Sequence, residues 1–194
     1  TQVDAAWLRE RAGFVLAELI VALPPSARAR VEGIPFAADP AIGEVNAYAA
    51  CDDTGALMAI TDGLLEVEAH IAQYRAVDEI WGTTKLAAYE QLLAQGMAPG
   101  SPLPRPQPGF TSTSQDADPR KVARQHELLD EQIAFVMGHE LAHHHLGHTG
   151  CANGASHVGV ITPTDLARVV AKRIPGFNQP NEIAADVAGT QNLL

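Results

Sequence analysis

A motif of five residues, His139-Glu140-Leu141-Ala142-His143, combines the side chains that metal-assisted hydrolysis requires. Two histidines four positions apart project from one face of a helix, so both imidazoles can reach a single ion. Imidazole suits Zn²⁺, which in catalytic sites keeps one position open for water. Glu140 lies beside the ion and outside its ligand set, where it can take a proton from the zinc-bound water. The motif therefore predicts a zinc site with a carboxylate base.

The motif belongs to a cluster of histidines, since five of the eight in the chain lie within ten residues. His144 and His148 form a second pair with the same spacing, but only the first pair has a glutamate directly after its first histidine. We expect His144 and His145 to point to solvent or to neighbouring loops. His148 is a further candidate, and His157 is a candidate for stabilising an oxyanion in the cleft, as is Arg173.

The third zinc ligand must come from another part of the chain, because a catalytic zinc usually has three protein ligands. Glu182 and Asp186 are again four positions apart and share one face of a predicted helix. Glu182 is the candidate ligand, and Asp186 can accept the free N–H of a ligand histidine and fix its tautomer. Small residues would let this helix pack closely against the zinc helix, namely Ala184, Ala185, Ala188 and Gly189.

The elements that position these residues follow mostly from helical periodicity. Apolar residues at three- and four-residue intervals, with caps and breakers, predict helices over about 4–23, 62–81, 86–93, 119–146, 162–175 and 181–194. Two short segments, 44–51 and 56–60, are joined by Asp52-Asp53-Thr54-Gly55 and predict a β-hairpin. Aromatic residues make up only 5% of the chain, which argues against an all-β sandwich. The expected fold class is helix-rich α+β.

The charge composition excludes some classes of binding partner. The formal net charge is −10, and no stretch of the sequence forms a basic stripe, which excludes nucleic acid and anionic membranes as expected partners. The longest apolar run, from Gly13 to Leu23, contains Glu18 and falls short of the roughly 20 residues that a membrane span requires. We therefore expect no membrane span in this chain.

The two cysteines, Cys51 and Cys151, lack the spacing of a metal site. They are either two buried thiols or one bridge, because only their proximity in space decides between the two. The cysteine count and the absence of an initial Met favour a secreted or periplasmic setting over the cytoplasm.

A segment rich in Pro, Gly and Ser runs from Gly96 to Pro119. Its prolines exclude a helix or a central strand, so we expect an exposed loop with polyproline character. A polyproline ligand for an adaptor domain is an alternative interpretation of this segment. Under that hypothesis, binding to the adaptor would survive loss of the metal.

Three blocks of the sequence resemble the HtpX-like, CAAX-prenyl-protease and Oma-type family of zinc metallopeptidases. They are Asn46-Ala47-Tyr48-Ala49 followed by residues 60–66, the stretch 130–148, and residues 182–189. The blocks cover a minority of the chain, but they include every residue of the predicted zinc site.

The resemblance implies a zincin-like domain with a small edge-strand sheet over the active-site helix. It implies one zinc ion on His139, His143 and Glu182, with Glu140 as general base and Asp186 as the partner of a ligand histidine. It also implies that the strand Asn46, Ala47, Tyr48 and Ala49 is an exposed edge, to which a polypeptide substrate adds as an extra strand.

The sequence departs from the family pattern in one respect. In relatives the block at 60–66 runs almost directly into the zinc helix, whereas about 60 residues intervene here. We therefore expect a single domain over 1–194 with an inserted helical and Pro-rich segment at about 67–120. The predicted function is a zinc-dependent metalloendopeptidase. The alternative is a latent or non-catalytic zinc-binding module that binds peptides while the insert blocks its cleft.

Overall fold

The computed structural model describes residues 4–52, 55–98, 100–151, 161–162 and 179–192. Its elements are α1 (Ala5–Ala22), α2 (Pro25–Val31), β1 (Phe36–Asp39), β2 (Ala47–Asp52), β3 (Gly55–Thr61), α3 (Asp62–Trp81), α4 (Lys85–Gly96), α5 (Thr113–Ala117), α6 (Pro119–His145) and α7 (Gln179–Gln191). Many helices and one small sheet confirm the predicted α+β class. The helix predicted over 162–175 lies outside the described residues.

The chain forms two compact units. The first comprises Thr1–Arg9, Pro40–Asn46 and Thr61–Ile133, and the second comprises Glu10–Asp39, Ala47–Ile60 and Ala134–Leu194. The second unit contains the sheet strands β1 and β2, the last turns of α6 and the whole of α7. It therefore holds all five residues of the predicted zinc site.

The first unit is built on α3, whose two ends the sequence determines. The side-chain oxygen of Thr61 accepts the N–H of Leu64 at 3.1 Å and so caps the N-terminus of the helix. Gly82, with φ 64°, ends the helix, and its N–H donates to the carbonyl of Asp78 at 2.8 Å. The buried core of this unit includes Leu65, Val77, Tyr89, Leu128 and Ile133.

The Pro-rich segment is non-helical between α4 and α5 in its described residues, as the prolines predict. The expected loop over 96–119 is wrong for α5, which lies beyond the last of the clustered prolines and begins at a capping box on Ser112. Arg105 in the Pro-rich segment donates through Nε to one oxygen of Glu66 on α3 at 2.7 Å and through Nη2 to the other at 3.0 Å. A two-point contact between guanidinium and carboxylate fixes orientation better than a single one. The segment is therefore held against α3 within the first unit.

The sheet of the second unit has the order β1-β3-β2, so β3 is the central strand and is buried along its length. β2 is antiparallel to β3, with Ala49 opposite Met58, as expected for the predicted hairpin. No second neighbour pairs with β2 among the described residues, which makes β2 an edge strand there. β1 was not predicted.

The sheet carries a small buried cluster of its own. Tyr48, Leu57 and Ala59 form a buried cluster, against which Ala37, Ala50 and Ile161 pack. The hydroxyl of Tyr48 donates to the buried carboxylate of Asp39 at 3.0 Å, so the ring is fixed at its polar end as well. The sheet thereby gives β2 a defined position.

Candidate metal centre

The last turns of α6 place His139 and His143 side by side, with their Nε2 atoms 3.0 Å apart. α7 brings one oxygen of Glu182 to 3.4 Å from each of these nitrogens. The three ligand atoms lie within 4.8 Å of one another, so the three predicted ligands meet at one point.

These separations can be compared with what a zinc ion requires. Zinc bonds of about 2.0–2.2 Å to nitrogen and oxygen in a tetrahedral arrangement set the ligand atoms about 3.3 Å apart. The observed separations are 3.0 and 3.4 Å. Two imidazoles and one carboxylate are also the donor set of known catalytic zinc sites. The residues therefore fit a zinc ion with a fourth position left for water or substrate.

The second nitrogen of each ligand histidine also has a partner. Nδ1 of His139 lies 2.8 Å from a carboxylate oxygen of Asp186, to which it donates its proton. Nδ1 of His143 lies 3.1 Å from Nδ1 of His148. A proton on Nδ1 leaves a lone pair on Nε2, which is the form that binds a metal. Asp186 takes the place that the sequence predicts, while the contact of His148 was not predicted.

His148 reaches His143 because of how α6 ends. Gly147 adopts φ 83°, its N–H donates to the carbonyl of His144 at 3.0 Å, and the N–H of His148 donates to the carbonyl of His143 at 2.9 Å. This pair of bonds is the Schellman motif, which folds the chain back over the last turn. A glycine two residues past the histidine run is the sequence signal that indicates this contact.

The pKa values of two histidines in this cluster are depressed. Burial lowers the pKa of His143, although the carboxylate of Glu182 acts in the opposite direction. Burial lowers the pKa of His144 to about 4. Both imidazoles are therefore neutral near pH 7, which leaves a lone pair on each ring.

His144 does not point to solvent. Its side chain is buried, its Nε2 donates to the carbonyl of Leu57 on β3 at 3.0 Å, and its Nδ1 accepts from the hydroxyl of Thr149 at 3.1 Å. Of the two expected alternatives, solvent or a neighbouring loop, the observed one is the loop, through Thr149. His144 connects the end of α6 to the central strand.

Glu140 is buried, with 7% of its surface exposed. The backbone N–H of Ala49 on the edge strand donates to its carboxylate at 2.6 Å. Among the other predicted edge-strand residues, Asn46 precedes β2 and pairs with Thr61, while Ala47 and Tyr48 are buried. The structure thus brings the predicted base and the predicted edge strand into direct contact.

The two helices of the centre approach each other through glycines. A Cβ added to Gly189 would lie 2.9 Å from the main-chain nitrogen of His139 and 3.0 Å from the main-chain carbon of Gly138. Because no side chain separates α6 and α7 at this point, the two helices lie close enough for Glu182 and Asp186 to reach the imidazole of His139. The predicted close packing of α7 on the zinc helix is confirmed.

A disulfide joins Cys51 near the end of β2 to Cys151 in the segment that follows α6. Of the two alternatives that the sequence leaves open, two buried thiols or one bridge, the structure has the bridge, with the two Cα atoms 5.8 Å apart.

His157 and Arg173 lie outside the described residues. In the described ranges, no helix has the length and apolar character needed to cross a membrane.

Comparison with known proteins gives one match. The profile of peptidase family M48 matches residues 16–188, which include every residue of the candidate metal centre. Neither the curated proteins nor the solved structures gave a significant match. The family consists of zinc-dependent metallopeptidases, as the resemblance of the three sequence blocks implies. The chain belongs to peptidase family M48 and is a metallopeptidase.

Proposed function

We propose that the chain is a zinc-dependent metalloendopeptidase in which Glu140 is the general base. The observation that carries the proposal is the convergence of His139, His143 and Glu182 on one point, next to a buried carboxylate on the same helix. The spacing of the three ligand atoms suits tetrahedral zinc. A metal held by three protein ligands with a carboxylate base beside it is typical of peptide hydrolysis.

The chemistry divides between the ion and the side chains. When bound, Zn²⁺ would polarise the scissile carbonyl and acidify water. Glu140 takes a proton from the attacking water and returns it to the leaving amine. Asp186 and His148 hold the ligand imidazoles in the metal-binding tautomer. The open side of β2 offers main-chain groups to an extended polypeptide substrate.

The test of this proposal is the substitution Glu140→Gln, which keeps the shape of the side chain and removes its basicity. With zinc-loaded protein and unfolded casein as substrate, we expect cleavage to fall about 10²- to 10⁴-fold. Elemental analysis should still find one zinc per chain. The matched control is Glu131→Gln, which makes the same change at an exposed position of the same helix and should leave both values unchanged.

The same experiment separates the proposal from the latent module. A wild-type protein that binds zinc and casein but does not cleave, with or without a chelator, would establish the latent module in place of the peptidase. Cleavage that the Glu140→Gln variant retains would contradict the role of Glu140 while leaving the metallopeptidase class intact.

The disulfide indicates the kind of cellular compartment in which the protein acts. Disulfides persist in secreted and periplasmic proteins and are rare in the cytosol, where thiols are kept reduced. Since Cys51 and Cys151 are bridged, we place the protein in an oxidising compartment. Alkylation of freshly isolated protein under denaturing conditions should detect no free thiol.

A further inference from the structure

The backbone of β2 points alternately to β3 and to the open edge of the sheet. In an antiparallel pair, every second residue exchanges hydrogen bonds with the partner strand and the residues between point away. Asn46 accepts the N–H of Thr61 at 2.9 Å, so the even-numbered positions face β3. Ala47 and Ala49 therefore direct their N–H and C=O groups to the edge.

The opposite strand confirms this register at Ala49. The residue of β3 that lies opposite Ala49 is Met58. The N–H of Met58 donates to the carbonyl of Pro35 at 3.0 Å and so points away from β2. The N–H of Ala49 itself donates to the carboxylate of Glu140 at 2.6 Å. A hydrogen bond that an ionised carboxylate accepts is stronger than one between neutral groups.

We infer that the amide of Ala49 positions the catalytic carboxylate and is therefore not available to pair with a polypeptide substrate on β2. The inference rests on the proposed endopeptidase function. A strand that adds to an edge uses the N–H and C=O of the outward-facing residues. At Ala49 the N–H is engaged by Glu140, so a substrate that paired there would have to displace the base.

The consequence is a defined break in the ladder between enzyme and substrate. Any ladder between β2 and a substrate is interrupted at Ala49, next to the base. The bond to Ala49 also satisfies a carboxylate that is largely removed from water, and an unpaired buried charge would be costly. Ala49 is thus a positioning residue that acts through Glu140.

The kinetic test removes one N–H at a time. Proline lacks this donor and is tolerated on edge strands where the N–H does not pair with the sheet. For a casein-derived peptide that the wild type cleaves, Ala49→Pro should lower kcat about 10- to 100-fold with little change in KM. Ala47→Pro, the matched variant, removes the outward-facing N–H two positions earlier in β2 and should leave kcat nearly unchanged. Equal effects of both variants on kcat, or a folded Ala49→Pro protein with full kcat, would overturn the inference.

A second measurement does not depend on catalysis or on the proline variants folding. In the amide spectrum of the ¹⁵N-labelled, zinc-loaded protein, the Ala49 proton should lie far downfield and exchange slowly. Glu140→Ala should move it upfield and speed its exchange, while Glu131→Ala should not. An Ala49 signal that is indifferent to Glu140→Ala would overturn the positioning role. An inactive wild type would overturn the proposed function, and this spectrum would still decide the contact.

Discussion

Nδ1 of His148 lies 3.1 Å from Nδ1 of His143, whose Nε2 is one of the three converging ligand atoms. A hydrogen bond at this distance needs one proton and one lone pair. When His143 binds a metal through Nε2, its Nδ1 carries the proton and His148 must accept it. His148 thus does for His143 what Asp186 does for His139.

We expect His148→Leu to weaken zinc binding about 10- to 100-fold, the range found when such supporting partners are removed. His148→Asn places an amide oxygen near the position of Nδ1 and should retain most of the affinity. Competition with a chromophoric chelator measures both. His126→Leu changes an exposed histidine elsewhere on α6 and serves as the control. Wild-type affinity in His148→Leu would show that His143 needs no partner.

The glycine contact between α6 and α7 gives a second prediction with a built-in control. A Cβ on Gly189 would lie 2.9 Å from main-chain nitrogen, whereas one on Gly138 would lie 3.4 Å from the nearest atom, the carbonyl oxygen of Gly189. Alanine favours a helix by about 1 kcal/mol over glycine at both positions. We therefore expect Gly138→Ala to be neutral or mildly stabilising.

Gly189→Ala should instead destabilise the protein by about 1–3 kcal/mol, because main-chain atoms cannot move aside as a flexible side chain can. It should also weaken zinc binding, since α7 carries Glu182 away from the histidines when it shifts. Thermal unfolding and chelator competition measure the two effects. If Gly189→Ala matched Gly138→Ala in both stability and zinc affinity, the close approach of α7 to α6 would play no part in forming the site.

The residues of the metal centre were predictable because each lies on a long helix with strong local signals. His139 and Glu182 each start a pair spaced at one helical turn, and that spacing is visible without knowledge of the fold. β1 escaped prediction because four residues, two of them alanine, carry too little periodicity. α2 is not visible in the sequence because two consecutive prolines at 24 and 25 indicate the end of α1, although proline also suits the first turn of a helix.

α5 had a signal that was overlooked. Ser112 accepts the N–H of Gln115, whose side chain accepts the N–H of Ser112, and this capping box is legible in the sequence. The bond between Ala49 and Glu140 had no such signal, because it joins residues 91 positions apart. The disulfide was undecidable for the same reason, since its cysteines are 100 positions apart. Local patterns predict elements, and the fold alone decides which distant atoms meet.

Asp78 provides a prediction about pH in the first unit. Its carboxylate accepts the N–H groups of Lys85 and Leu86 at 2.7 and 2.9 Å, which caps α4, and the hydroxyl of Thr83. Burial acts to raise the pKa of Asp78, but these hydrogen bonds outweigh it and hold the pKa below its usual value.

The sign of the effect follows from that direction. A carboxyl whose pKa is lower in the folded state stabilises the protein above the unfolded pKa, and this contribution is lost as the pH falls through the folded pKa. Asp78→Asn should therefore cost about 1 kcal/mol of unfolding free energy at pH 7. Denaturant titrations should show the difference from wild type shrinking below pH 4. If the difference in unfolding free energy between wild type and Asp78→Asn stayed constant down to pH 2, the charge of Asp78 would not contribute to the cap.

The disulfide gives a prediction about the second unit. A bridge that closes a loop of 100 residues restricts the unfolded chain strongly, so replacing Cys51 and Cys151 by serine should cost about 2–5 kcal/mol of unfolding free energy. Chemically reduced wild type should match this variant, which separates the loss of the bond from the effect of serine. The metal ligands remain on α6 and α7, so zinc affinity well below the unfolding temperature should fall less than in His148→Leu. A zinc affinity that collapsed in the still-folded serine variant would show instead that the bridge itself holds the site together.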